Sequence, residues 1–166
     1  MDITYQLGEF VEKTAYSDIP YETIKVQKAS VLDNIGNILG ASGIGDGCSD
    51  ALNVAEQLSC GGTGEATVIG FGKKLPAMWT AFANASMAHS LDFGDSFSAC
   101  GGSGHPNSST FPAALAVAEK LNISGKEFLT ALVLGSEIAC RLSIANKHRI
   151  MIWLLELPDT AHTLLF

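Results

Sequence analysis

Side chains able to transfer protons cluster in the middle of the chain. Asp92, Asp95 and Ser96 lie close together, and His105 follows them across a glycine-rich link. A histidine titrates near neutral pH, so it can give or take a proton. A nearby carboxylate can orient the histidine or act as its partner acid or base. The spacing predicts that these four side chains line one pocket between two apolar helices.

The same residues also have structural interpretations. An aspartate and a histidine beside a glycine-rich loop are common as helix caps and turn formers. His89 lies three residues before Asp92 on one predicted helix face, and pairing with Asp92 is favoured there over catalysis. Gly101, Gly102 and Gly104 would let backbone amides approach an anion. The N-terminus of the helix that follows favours a carboxylate.

Composition narrows the class of protein. The chain has 166 residues, of which 47% are hydrophobic and 16% charged, and this excludes a disordered polypeptide. No uninterrupted apolar run approaches the ~18 residues of a membrane span, so no membrane association is expected. The first residues lack the basic start of a secretory signal, which predicts a cytoplasmic protein. A net charge of −7 disfavours nucleic acid as a partner.

The four cysteines give no support to a metal site. They occur at Cys48, Cys60, Cys100 and Cys140, and no C-x-x-C pair is present. Small, buried or half-buried thiols are the favoured interpretation. We therefore expect no metal ligands.

The hydrophobic pattern predicts an all-α fold. Asp18 and either Ser109 or Thr110 are the expected caps of the second and fifth helices, and Gly40 and Gly43 are expected to end the second. A capping box at Ser124 begins the sixth. A short β-hairpin is predicted over residues 65–75. The sequence thus predicts a bundle of about six helices, at residues 3–14, 18–40, 49–58, 76–91, 110–121 and 124–145.

The last segment, residues 146–166, has a different hydrophobic pattern from the rest of the chain. It is apolar without a clear helical period. We therefore place a domain boundary at residue 145. A truncated or frame-shifted reading frame would give such a tail.

Three longer motifs resemble the N-terminal part of the MmgE/PrpD family. They read GGTGEATVIGFGKKLPA, then ANASMAHSLDFGDS, then HPNSSTFPAALAVAEKLNISGKEFLTALVLGSEIACRL. The resemblance covers residues 5–145. The family includes 2-methylcitrate dehydratases, cis-aconitate decarboxylases and iminodisuccinate epimerases. Each motif alone would be weak, and the three together are specific.

The resemblance implies a helical domain and proton abstraction next to a carboxylate, without a metal or organic cofactor. It implies catalytic roles for His105 and Asp92, and substrate-binding roles for Ser96 and Asp95. Gly94 departs from the family pattern, because a second aspartate usually stands there. Family members are longer and carry a second, lid-like domain with further catalytic groups.

Two functions from different classes follow. The first is part of a lyase or isomerase acting on a di- or tricarboxylic acid, similar to 2-methylcitrate dehydratase and inactive alone. The second is a non-catalytic helical module that binds a partner or dimerises. The expected partners are a small polycarboxylate and either a second copy or a missing second domain. The sequence does not choose among dehydration, decarboxylation and epimerisation.

Overall fold

The computed structural model describes residues 2–99 and 102–156, and for residues 147–156 it describes the backbone alone. The described chain contains six α-helices and one antiparallel hairpin, which confirms the predicted all-α bundle with a hairpin. The helices are α1 (Ile3–Lys13), α2 (Tyr21–Ile44), α3 (Cys48–Leu58), α4 (Ala77–Ser90), α5 (Pro106–Leu121) and α6 (Gly125–Glu156). The strands are β1 (Ala66–Val68) and β2 (Lys73–Leu75), and residues Tyr16–Asp18 form a 3-10 turn.

The core surrounds α4, which packs against α2, α3 and α5, while α5 also packs against α6. Phe111, Ile38 and Met87 are the largest fully buried side chains. Phe111 lies edge-to-face against Phe128, with ring centroids 6.2 Å apart. This packing joins α5 to α6 and fixes the two helices that flank the predicted site.

The hairpin is attached to α4 by side-chain hydrogen bonds. Ala66 pairs with Leu75, and Val68 pairs with Lys73. Asn84 Oδ1 accepts from the Ile69 amide at 3.0 Å, and Asn84 Nδ2 donates to a β1 carbonyl at 3.0 Å. Because two strands alone are marginal in water, these bonds from a buried helix stabilise the hairpin.

The start of α5 differs from the predicted one. Neither Ser109 nor Thr110 caps the helix, which begins at Pro106 with His105 as the N-cap residue, four to five residues before the predicted caps. Proline is well tolerated at the first helical position, because its missing N–H has no intrahelical partner there. Pro112 lies inside the helix and is buried, so tertiary packing outweighs its cost. This shift places His105 directly at a helix end.

Both ends of α2 also differ from prediction. Asp18 does not cap α2, since its carboxylate accepts from the Ala15 amide at 2.9 Å in the preceding 3-10 turn. Gly40 and Gly43 do not end the helix, which continues to Ile44. Gly40 lies against Leu91, so packing there outweighs its low helix propensity.

The predicted apolar face of α1 is only partly covered within the described chain. None of its residues is buried, and Ile3, Phe10 and Val11 are exposed, although Arg141 lies over the Phe10 ring at 5.7 Å from its centroid. A largely exposed apolar face offers a surface for another chain or domain.

The start of α6 is confirmed, and its end lies beyond the predicted one. The Ser124 amide donates to Glu127 Oε2 at 2.8 Å, and the Glu127 amide donates to Ser124 Oγ at 3.3 Å. These two bonds are the predicted capping box, and they lower the pKa of Glu127. The helix continues past residue 145 to Glu156. Residues 157–166 of the predicted tail lie outside the described chain, as do Cys100 and Gly101.

One part of α6, Gly125–Asn146, is long and apolar enough to cross a membrane by length and composition alone. An 18-residue stretch of it has a mean hydropathy of 1.6, and 11% of that stretch is buried. The expectation from uninterrupted apolar runs overlooked it, because single charged residues interrupt the stretch. Arg141 and Glu137 pair on its exposed side at 2.6 Å. A mostly buried core helix of a soluble protein meets the same criteria.

Candidate active site

The loop between α4 and α5 carries the predicted site, and tertiary contacts hold its shape. Phe97 and Gly104 exchange two backbone hydrogen bonds of 2.8 and 3.1 Å, which close the loop just before His105. The Ser103 amide donates to Ser143 Oγ at 2.8 Å, and that hydroxyl donates to the Ser103 carbonyl at 2.7 Å. Gly102 is buried, and a Cβ there would lie 2.4 Å from Phe97. The loop is therefore fixed against α6.

His105 is half-buried at the N-terminus of α5, and one of its ring nitrogens is engaged in a hydrogen bond. Its Nδ1 lies 2.8 Å from the backbone carbonyl oxygen of Asp95. A carbonyl oxygen only accepts, so Nδ1 carries the proton and donates it. In the neutral ring, Nε2 then holds the lone pair. The loop therefore sets the tautomer that leaves Nε2 able to take a proton.

The Asp95 side chain has a different partner from its carbonyl. Asn107 Nδ2 donates to Asp95 Oδ2 at 3.0 Å. Asp95 Oδ1 is buried and accepts no hydrogen bond from the described residues. Asp95 thus orients His105 through its backbone and is itself held through its carboxylate. The structure brings these two predicted residues together.

Asn107 links this loop to two other helices. Its Oδ1 accepts from Gln27 Nε2 of α2 at 3.0 Å and from Ser136 Oγ of α6 at 2.8 Å. Gln27 and Asn107 are each 7% exposed. We call Gln27, Asp95, Asn107 and Ser136 the Asn107 network. Such buried polar groups need partners, so the network fixes the relative positions of α2, α5, α6 and the loop.

Sequence reasoning did not find this network. Asn107 lies inside the third quoted motif, two residues after His105. Gln27 lies 80 residues before Asn107 in the sequence. Glutamine is usually an exposed residue, so its type did not mark it as part of a buried network. The only local signal was its place among the apolar residues of α2, next to Ile24 on the buried side.

A small open cavity of about 180 Å³ lies beside His105. Its described lining contains no lysine or arginine, and comprises Phe97, Ser103, Gly104, His105, Pro106, Ser109, Ala139, Cys140 and Ser143. Burial raises the pKa of the Cys140 thiol, and the nearby carboxylates of Glu137 and Asp95 raise it further. Cys140 is therefore a protonated thiol at neutral pH.

Asp92 and Ser96 occupy other positions. Both are exposed, and neither belongs to the described lining of this cavity. Asp92 follows the end of α4 with φ of 56°, in the left-handed region that few residues other than glycine adopt. Strained backbone of this kind is concentrated at functional sites. Whether these two residues contact a substrate stays a prediction.

His89 has a different neighbour from the predicted one. Among the described side chains no ion pair joins it to Asp92, although the Asp92 amide donates to the His89 carbonyl at 3.2 Å. The His89 ring instead lies beside the His105 ring, with centroids 5.2 Å apart and planes tilted by 59°. Two imidazoles therefore meet at the junction of α4 and α5.

The arrangement is suited to moving a proton beside a bound anion. His105 offers a nitrogen lone pair, and the helix N-terminus behind it offers backbone amides. The His105 side chain makes no N-cap hydrogen bond to α5, and no other side chain of the described residues is seen to cap these amides. The dipole at that end favours a carboxylate.

Comparison with known proteins identifies the family. The MmgE/PrpD N-terminal domain matches residues 5–157. This match confirms the resemblance predicted from the three motifs, and it extends past residue 145, where we expected the resemblance to end. No curated protein and no solved structure matches the chain.

Proposed function

Because the chain belongs to the MmgE/PrpD family, through that family's N-terminal domain, we propose that it forms part of a lyase or isomerase acting on a di- or tricarboxylic acid. The proposed chemistry resembles that of 2-methylcitrate dehydratase and needs no cofactor. One observation carries the proposal: the Asp95 carbonyl holds His105 in the tautomer whose Nε2 takes a proton.

In the proposed reaction His105 removes a proton from the carbon next to a substrate carboxylate. The electron pair of that C–H bond forms the new C=C bond, and a hydroxyl group leaves with a second proton as water. Asp92 is the proposed acid–base partner that relays that second proton from solvent to the leaving hydroxyl, and its exposed position allows it to face a substrate. Ser96 is proposed to hydrogen-bond the substrate. Asp95 is better suited to positioning His105 than to contacting substrate, since its carboxylate is engaged by Asn107.

The negative charge of a polycarboxylate substrate requires more cationic groups than the described site contains. A polycarboxylate needs cationic partners, usually arginine or lysine. The described cavity lining has neither, and the chain carries a net charge of −7. We therefore propose that a second domain or a second copy supplies these charges. The chain alone is then expected to bind a polycarboxylate weakly, through the donors at the α4–α5 junction, and to show little or no turnover.

Binding is the direct test. Tricarballylate, a tricarboxylate without a leaving hydroxyl, is added to the full chain carrying ¹⁵N-labelled histidines. The His105 imidazole signals should shift in a saturable way, and acetate at equal ionic strength should have little effect. A tricarballylate response no larger than that to acetate would overturn the proposal.

Turnover is measured separately. The full chain is incubated with 2-methylcitrate, and product is followed by NMR. Robust dehydration that is lost in His105→Ala would contradict the expectation that other groups are required.

A second function is favoured by the exposed apolar surface. Leu32 and Leu39, seven residues apart on α2, are 72% and 50% exposed, and α1 buries no residue. A non-catalytic module that binds a partner or dimerises through these faces would explain this exposure. A cooperative thermal transition of a well-defined dimer that does not bind tricarballylate would favour this function over the enzyme.

A further inference from the structure

The second imidazole at the junction of α4 and α5 has no assigned role. His89 lies in the last turn of α4, is exposed, and has its ring 5.2 Å from that of His105. In the described part of the chain no hydrogen bond engages either of its ring nitrogens. An imidazole in either protonation state donates at least one N–H. His89 therefore offers a free donor beside the residue that carries the proposed chemistry.

The two helix ends that meet here complement each other. The C-terminal end of α4 carries a partial negative charge, and His89 lies in its last turn. The N-terminal end of α5 carries a partial positive charge, and His105 makes no side-chain cap hydrogen bond there, which favours an anion. An anion at this junction would meet amides from one helix and an imidazole from the other.

Lysine and arginine side chains are absent from the described cavity lining, so the His89 imidazole is one of the few groups near it that can hold an anion. Asp92 and Asp95 lie in the connecting loop, and the described cavity lining contributes no lysine or arginine. Around this junction, the described groups able to donate a hydrogen bond to a carboxylate are the His89 imidazole, the serine hydroxyls of the cavity lining and the α5 amides.

We propose that His89 is a substrate-binding residue that donates a hydrogen bond to the carboxylate next to the carbon on which His105 acts. This inference rests on the proposed function. His89 then holds the carboxylate, and His105 keeps its Nε2 for the proton.

The experiment measures tricarballylate affinity for the full chain by isothermal titration calorimetry and by the histidine NMR signals. His89→Phe keeps a ring beside His105 and removes the N–H donor. Loss of one hydrogen bond to a charged group should weaken binding about tenfold. His89→Gln keeps an N–H donor and should recover part of that loss. Because His89 is exposed, both variants are expected to fold.

Lys120→Gln is the matched control. It removes one positive charge from the other end of α5, about 20 Å along the helix from His105. Binding should stay within about twofold of the unmodified chain, because exposed charges at that distance are screened.

The outcomes separate the two proposals. Weaker binding in His89→Phe, partial recovery in His89→Gln and no change in Lys120→Gln support the role of His89. Saturable binding at His105 that is equally tight in His89→Phe overturns that role and leaves the proposed function standing. An equal loss in Lys120→Gln also overturns it, since general charge would then explain the effect. Absence of saturable binding by the unmodified chain overturns both.

Discussion

Asn107→Ala is expected to destabilise the protein strongly, because the Asn107 side chain connects three helices and the site loop. The substitution removes the bonds from Gln27 and Ser136 at 3.0 and 2.8 Å, and the bond to Asp95 at 3.0 Å. Each neutral bond contributes about 1 kcal/mol, and a bond to a charged group about 1.5–3 kcal/mol. Asp95 is half-exposed, so water replaces part of its loss. We therefore expect a loss of about 3 kcal/mol in the free energy of unfolding.

Urea unfolding followed by circular dichroism measures this loss, and thermal unfolding should show Tm lower by roughly 6–12 °C. Asn34→Ala is the control, because Asn34 is 1% exposed but its described hydrogen bonds reach only Ser30, one turn earlier on α2. It should cost about 1 kcal/mol. If Asn107→Ala lowered the free energy of unfolding no more than Asn34→Ala, the prediction would be wrong, because the Asn107 network would then not stabilise the packing of these helices.

Three further predictions concern other parts of the chain. Ser124→Ala removes the hydroxyl of the α6 capping box and should lower the free energy of unfolding by about 1 kcal/mol, as measured in urea. The Ala77 amide and Lys120 lower the pKa of Glu65, so its contribution to stability is present at neutral pH and is lost as the pH falls through that lowered pKa. Urea midpoints of Glu65→Gln and the unmodified chain should therefore differ at neutral pH and converge in acid; a constant difference would contradict this. Burial raises the pKa of Cys140, while Cys60 is exposed, so iodoacetamide near pH 7.5 should alkylate Cys60 faster, with mass spectrometry identifying each site.

Features governed by neighbours in sequence were predicted well. The capping box of α6 depends on Ser124 and Glu127, three residues apart. The hairpin needs a β-prone segment and glycines within ten residues, and the register Ala66 to Leu75 agrees with the predicted segment. Local geometry satisfies the backbone groups of the capping box, and it sets the turn and pairing of the hairpin, to which Asn84 of α4 adds tertiary hydrogen bonds.

Helix ends that compete with tertiary packing were predicted less well. Asp18 is a good N-cap by type, but its carboxylate serves the preceding turn, and α2 begins at Tyr21. The hydroxyls of Ser109 and Thr110 are also good caps by type. The chain instead starts α5 at Pro106, where the closed loop delivers His105 to the helix end. Packing energies there exceed the few tenths to one kcal/mol that separate local alternatives.

The sequence by itself determined the family, the helical class and the region that holds the candidate site, because these depend on residue types in a fixed order. Only the tertiary structure decided which atoms meet. It placed Gln27 against Asn107 across 80 residues, gave His105 the Asp95 carbonyl as its partner, and set His89 beside His105. Contacts between distant segments depend on how helices pack, and a single sequence carries no periodic or local signal for them.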